Sequence, residues 1–251
     1  MSKLSSPQLI RPAWPAPARV RALVTTRTLA GNSQAQFASF NLGARCGDQP
    51  QAVAANRESL ARKLALPGAP RWLQQVHGIT VLDVDAGVAE DEPKADAAVT
   101  HRPGVVLAVL TADCLPVLFC ADDGSAVGVA HAGWRGLAAG VLEATVLALG
   151  AAPERVLAWI GPGIGAASYE VGEEVRAAFV EHDGAAGFAF VPTRPGHWHC
   201  DLAALARRRL LACGVERVSG ASFDTFSDPR FYSFRRDRET GRFASLVWIA
   251  P

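Results

Sequence analysis

No stretch of this chain stays apolar for the roughly 20 residues that a helix needs to cross a bilayer, so the sequence excludes a helical membrane span. Charge of one sign is also missing. Lys and Arg number 25 against 24 Asp and Glu, a net charge of +1, so nothing points to a general binder of nucleic acid or acidic membranes. Cysteine is sparse: Cys46, Cys114, Cys120, Cys200 and Cys213 are odd in number, widely spaced and never in a C-x-x-C pair. That argues against a disulfide framework and excludes a four-cysteine zinc ribbon. Cys120 and Cys213 lie in apolar contexts and read as small buried residues. No G-x-G-x-x-G follows a strand and no G-x-x-x-x-G-K-[ST] occurs, so the common phosphate-binding fingerprints of nucleotide sites are absent. The N-terminus, MSKLSSPQLIRPAWPAPARV, is broken by prolines and has no long apolar core, so it does not read as a signal peptide. A cytosolic protein is expected.

What is present suits a globular enzyme. The 251 residues are 49% apolar and 20% charged, ample for a packed core. Residues 19–27 alternate like a strand, and 52–66 have helical spacing stopped by PGAP. Residues 71–85 read as strand, turn at Gly78, strand. Residues 104–123 read as two buried strands around a kink at Cys114-Leu115-Pro116, and the apolar run ending at His131 reads as another. Helices are expected over 137–151, 172–183 and 200–214. Strands are expected over 155–165, 217–226 and 243–250, with a polar loop over 227–242. Several strands adjoin with no helix between them, which points to an α/β fold of mixed sheets covered by helices rather than a parallel doubly wound sheet.

Three expected strand ends carry groups that bind metals. His77 precedes Gly78, Cys114 precedes Leu-Pro, and His131 precedes Ala-Gly-Trp. One thiolate and two imidazoles form a borderline-soft set suited to Zn²⁺, and three protein ligands leave a fourth position open, the pattern of catalytic sites. Each residue taken alone is more often ordinary packing or hydrogen bonding than a ligand. The same residues also support a metal-free reading, with Cys114 as nucleophile, His131 or His77 as base, and Asp113 or Asp96 as the group that orients the base.

The segments WLQQVHG (72–78), DAAVT (96–100), TADCLPVLF (111–119), HAGWRG (131–136), IGPGIG with YEVG (160–172) and FYSFRRD with TGR (231–242) together resemble the YfiH/laccase-domain family. FNLGARCGD (40–48) is similar to that family's NLG…GD segment. The resemblance runs from about Val20 to the C-terminus. It implies a single-domain, multilayer α/β fold, here residues 19–251 behind an N-terminal extension, 1–18. It implies a metal site, usually zinc, at His77, Cys114 and His131. It also implies purine nucleoside chemistry: phosphorolysis of adenosine, inosine, guanosine and methylthioadenosine, and deamination of adenosine. Other members have been called polyphenol oxidases or peptidoglycan-editing factors.

These implications can be tested against the residues. Six histidines, only two of them in the site motifs, cannot hold the several copper centres of a multicopper oxidase, although copper can substitute for zinc at a nitrogen–sulfur site. Base deaminases that use zinc commonly carry H-x-E with P-C-x-x-C, and neither is present. Phosphorolysis needs an anion site, for which Arg57, Arg135, Arg235 and Arg236 are candidates. Arg135 is favoured because it lies four residues from His131. Trp134 is a candidate to stack on a base, and Gln75 to hydrogen-bond substrate or orient His77. Asp113 and Asp96 are candidates for acid–base catalysis, substrate contact or orientation of a ligand imidazole. His101, His182, His197 and His199 read as ordinary.

The expectation is therefore a zinc-dependent purine nucleoside phosphorylase with adenosine deaminase activity. It would act on purine nucleosides and phosphate, as a monomer or homodimer, without nucleic acid or membrane partners. The alternatives are a hydrolase that edits a peptidoglycan precursor with Cys114 as nucleophile, and a binding protein that turns nothing over.

Overall fold

The computed structural model describes residues 8–87 and 90–251. Its centre is the run of apolar, β-branched strands expected from the sequence. Leu115–Ala121 and Val127–Ala132 pair antiparallel, flanked by Val156–Ile160 and Arg217–Gly220 on one side and by Ala97–Thr100 and Val81–Asp83 on the other. The two outermost pairs are parallel and the inner ones antiparallel, so this six-stranded sheet is mixed. A second sheet, wholly antiparallel, orders Leu9–Ile10, Val20–Thr25, Phe243–Ile249 and Val106–Thr111. A third, also antiparallel, joins Phe190–Arg194, His197–Cys200 and Glu170–Gly172.

Side-chain alternation along Leu115–Ala121 shows why the strands stack in layers. Val117, Phe119 and Ala121 face the helices Val141–Leu149, Glu173–Val180 and Leu202–Ala212, packing on Leu142, Val146, Phe179 and Leu205. Leu118 and Cys120 face the other way, against Leu107, Val109, Phe243 and Val247 of the four-stranded sheet. That sheet's far face is covered by the helix Pro50–Lys63 through Leu60, with Phe40 and Leu42. Helix, sheet, sheet and helices thus lie in sequence, a single-domain α/β stack. Residues 8–18 pack onto it, with Leu9 and Ile10 paired to Thr25 and Val24 and with Trp14 against the core between the sheets. No helix among the described residues is long and apolar enough to cross a membrane.

Several expected elements are corrected. Residues 71–77 form isolated parallel bridges, at Arg71 to Leu107 and Gln74 to Lys94, and only Val81–Asp83 of that segment is a strand. The helix expected over 137–151 is two, Trp134–Ala139 and Val141–Leu149, broken at Gly140. Gly140 has φ 106, a left-handed conformation that ends the first helix and that glycine adopts without steric cost. The strand at 217–226 stops at Gly220. The loop over 227–242 buries Phe231, Tyr232 and Ser233 completely and holds a helical turn, Phe234–Asp237.

Candidate metal centre and active site

The site forms at one end of the two stacked sheets. Leu115 and Ala132 are register partners, so the chain enters one strand and leaves its antiparallel neighbour at the same end. Cys114 immediately precedes Leu115, and His131 is the penultimate residue of Val127–Ala132. His77 arrives from a turn rather than from a strand end, with φ 62, and Asp113 beside Cys114 has φ 91. Both are non-glycine residues in the left-handed region, where strain persists only when surrounding contacts hold it.

Those contacts are visible. The buried carboxylate of Asp96 accepts hydrogen bonds from the backbone N–H of Val76, His77 and Gly78 and from Nδ1 of His131, the last at 2.8 Å. His131 therefore carries its proton on Nδ1 and directs Nε2 into the site. Asp113 accepts from Thr225 Oγ1 at 2.6 Å and from the Arg235 N–H at 2.7 Å. Two glycines of HAGWRG allow the close approach. A Cβ on Gly133 would lie 2.7 Å from His77 Cδ2 and 3.0 Å from Cys114 Sγ, and one on Gly136 would lie 2.9 Å from the Gly78 carbonyl oxygen.

His77, Cys114 and His131 converge: one donor atom from each lies within 4.8 Å of the others. Cys114 Sγ is 3.8 Å from His77 Nε2, and the two imidazoles meet edge to face with centroids 4.7 Å apart. A tetrahedral zinc with ordinary Zn–S and Zn–N bonds sets its ligand atoms roughly 3.3–3.6 Å apart, so small adjustments close the group on an ion. The donor set, the space that Gly133 leaves and the carboxylate behind His131 all fit a metal site with an open fourth position.

Without an ion the group is a charge pair. Burial pushes the Cys114 thiol up, but the positive charge of His131 and hydrogen bonds from both histidines outweigh it and bring the thiol down to about 6. Burial pushes the His131 imidazole down, but the Cys114 thiolate and Asp96 hold it up at about 9. For Asp96, burial works against the charge, while the bonds from His131, Gly78 and Val76 hold the carboxyl below its usual range.

The group opens onto a cavity of about 460 Å³, within the range of small-molecule sites. Arg135 and Trp134 line it, the guanidinium stacked on the indole with 4.3 Å to the ring centroid. Among the described residues the Arg135 guanidinium has no ion-pair or hydrogen-bond partner. Arg57 also lines the cavity but is tied to Glu92, to the Leu42 carbonyl and to the face of Trp72. Arg235 reaches the wall while donating to the Glu170 carbonyl and stacking on Tyr169. Arg236 is not on the wall; it pairs with Asp237 and three backbone carbonyls.

Asp113 and Gln75 line the cavity, whereas Asp96 lies behind it and its expected substrate contact is corrected. Asp96 is fully buried with both oxygens occupied by protein donors, so its carboxylate offers no free oxygen to a substrate. Asp113 has both carboxylate oxygens engaged by protein donors and tethers the segments carrying Thr225 and Arg235. Gln75 exchanges two hydrogen bonds with the Leu110 backbone and fastens the 71–77 segment to the neighbouring strand. Tyr169, Arg45, Cys46 and Arg242 also line the wall, and none of them is among the expected site residues. All four lie inside the quoted motifs, Arg45 and Cys46 in FNLGARCGD, Tyr169 in YEVG and Arg242 in TGR. His101 bonds Asp85 and the Leu149 carbonyl, well away from the site motifs.

Residues 21–250 match the family model described as multi-copper polyphenol oxidoreductase laccase. The chain belongs to this YfiH/laccase-domain family. A purine nucleoside phosphorylase of Xylella fastidiosa is 55% identical over 247 residues, covering 94% of this chain and 95% of that one. The purine nucleoside phosphorylase YfiH of Escherichia coli is 47% identical, covering 96% and 99%. Among solved structures, a Neisseria meningitidis protein superposes with a TM-score of 0.93 at 43% identity, covering 97% of this chain and all of that one. YlmD from Geobacillus stearothermophilus superposes with a TM-score of 0.90 at 31% identity over the full chain and 98% of YlmD. The laccase in the family's description meets a chain whose described residues hold one three-ligand cluster, with two histidines in it.

Proposed function

We propose that this YfiH-family chain is a zinc-dependent purine nucleoside phosphorylase. What carries the reading is that the open side of the His77–Cys114–His131 group and the guanidinium of Arg135, which pairs with no carboxylate among the described residues, line one cavity, in a chain whose relatives at 47–55% identity bear that enzyme's name. In phosphorolysis an oxygen of phosphate forms a bond to C1′ of the ribose as the C1′–N9 bond breaks, and the bonding pair leaves with the purine. Arg135 offers phosphate a planar pair of donors without first breaking an ion pair, and Trp134 holds that fork in place while presenting aromatic surface. Arg235, fixed from behind by Asp113 and Glu170, adds positive charge to the wall. A zinc ion held by His77, Cys114 and His131 would supply Lewis acidity there. Asp96 keeps His131 and His77 turned toward it.

Adenosine, inosine, guanosine and methylthioadenosine are the proposed nucleosides, and adenosine deamination is a proposed second activity, performed without the usual deaminase motif. Five free cysteines fit a reducing, cytoplasmic compartment. The direct test incubates purified protein with inosine and phosphate and separates the products. Hypoxanthine and ribose 1-phosphate in equal amounts support the reading; no release of base with any of the four nucleosides removes it.

One observation favours a second reading. Cys114, His131 and Asp96 form a chain of nucleophile, base and orienting carboxylate, with the thiol lowered and the imidazole raised. That arrangement suits a hydrolase working through a covalent Cys114 adduct, for which a cell-wall precursor is the proposed substrate. Mass spectrometry on protein trapped with a slow substrate separates the two, because only the nucleophile reading leaves substrate mass on Cys114.

A further inference from the structure

Four donors converge on Asp96. Oδ1 accepts from the His77 N–H at 2.9 Å and from His131 Nδ1 at 2.8 Å, and Oδ2 accepts from the Gly78 N–H at 2.7 Å and the Val76 N–H at 3.1 Å. The main chains are joined as well, since the His131 N–H donates to the Asp96 carbonyl at 2.7 Å. The turn 76–78 lies outside any strand ladder or helix, so its three N–H groups depend on this carboxylate. Successive N–H groups turned inward on an anion form a nest, and the nest holds His77 at its left-handed φ of 62. One carboxylate thereby aims two ligands that come from parts of the chain 54 residues apart.

We infer that Asp96 is the positioning residue of the metal centre: by closing the 76–78 turn and binding His131 Nδ1, it sets the direction of both imidazoles, and the affinity of the site for metal depends on it. The inference rests on the metal reading of His77, Cys114 and His131. It follows from the connectivity. Cys114 directly abuts the central strand Leu115–Ala121, whereas His77 sits on an exposed turn whose backbone hydrogen bonds to Asp96 hold it in place. His131 without an acceptor at Nδ1 is free to exchange tautomers and present the wrong nitrogen. An asparagine at position 96 keeps one acceptor oxygen but turns an NH₂ toward donors, so it cannot satisfy both the turn and the imidazole.

The test compares wild type, Asp96→Asn and Leu210→Ala. Leu210 is a fully buried residue of the helix Leu202–Ala212 and serves as a control for loss of stability alone. Zinc affinity is measured by competition with a chromophoric chelator, and the thiolate-to-cobalt and ligand-field bands of the cobalt-substituted protein report ligand geometry. All measurements are made well below each variant's melting temperature. Asp96→Asn is expected to bind zinc about 10–100-fold more weakly with a changed cobalt spectrum, while Leu210→Ala melts earlier but keeps both. Should Asp96→Asn fail to fold, ¹⁵N spectra of zinc-loaded wild type decide: a proton on His131 Nδ1 and slow amide exchange at Val76, His77 and Gly78 are required, and a proton on Nε2 overturns the inference. Wild-type zinc affinity and spectrum in Asp96→Asn overturn it while leaving the metal reading intact. Wild type that takes up no zinc overturns the metal reading, and the inference with it.

Discussion

Gly133→Ala separates the site from the fold. Gly133 has φ −68 and ψ 159, a conformation open to any residue, so the substitution adds a methyl group without backbone strain. That Cβ would lie 2.7 Å from His77 Cδ2, 3.3 Å from His77 Nε2 and 3.0 Å from Cys114 Sγ. Non-bonded carbons rest about 3.5–4.0 Å apart, so the imidazole must retreat by roughly 1 Å. Overpacking in a core costs about 1–3 kcal/mol, but His77 stands on an exposed turn and can swing away. The stability cost therefore falls at the low end, a drop in melting temperature of about 2–4 °C. The cost to metal binding is not relieved in that way, because ligand distances tolerate shifts of only about ±0.2 Å. Zinc affinity should fall by at least the 10–100-fold typical of disturbed ligand supports, about 1.4 kcal/mol for each factor of ten. Chelator competition measures the first quantity and thermal melting the second. Gly184→Ala is the control, since its Cβ meets nothing within 4 Å. Wild-type zinc affinity in Gly133→Ala would refute the close packing of His77 and Cys114 around this glycine.

Arg135→Lys should raise the KM for phosphate and Arg135→Ala should raise it further, by about tenfold or more for loss of a charge-assisted pair; unchanged phosphate KM in both variants removes Arg135 from the anion site. In metal-free protein, Cys114 should alkylate readily at pH 7, because its thiol is held near 6 and the thiolate is lost only as pH falls through that value. A rate profile with its midpoint near 8.5, the ordinary cysteine value, would contradict the charge pair. Zinc should protect Cys114, and Cys120, buried and pushed up to about 12, should stay unreactive throughout.

The strands that form the middle of the sheets were legible because they are built from consecutive β-branched and large apolar residues, as in Val106–Thr111 and Leu115–Ala121. Ala97–Thr100 reads as a motif and not as a strand, since it is four residues long and half alanine, and it owes its place to neighbours on both sides. The strands Phe190–Arg194 and His197–Cys200 escaped because prolines and a glycine interrupt them. At the site, the three donors were legible as residue types beside glycine or proline, and the family resemblance joined them. Their support was not. Asp96 and Asp113 are each the only nearby carboxylate in their motif, and nothing in spacing shows that one faces two histidines and the other a threonine 112 residues away. Those assignments depend on which ends of the stacked sheets coincide, a tertiary fact.

The most direct test of the metal centre is an anomalous-difference map at the zinc edge from crystals of protein expressed with zinc and washed free of excess metal. A single peak bonded to Cys114 Sγ and to one ring nitrogen each of His77 and His131, at about 2.3 Å and 2.0–2.1 Å respectively, is the expected result. A map with no peak at these residues, from crystals of protein that still cleaves inosine in phosphate, would contradict the account.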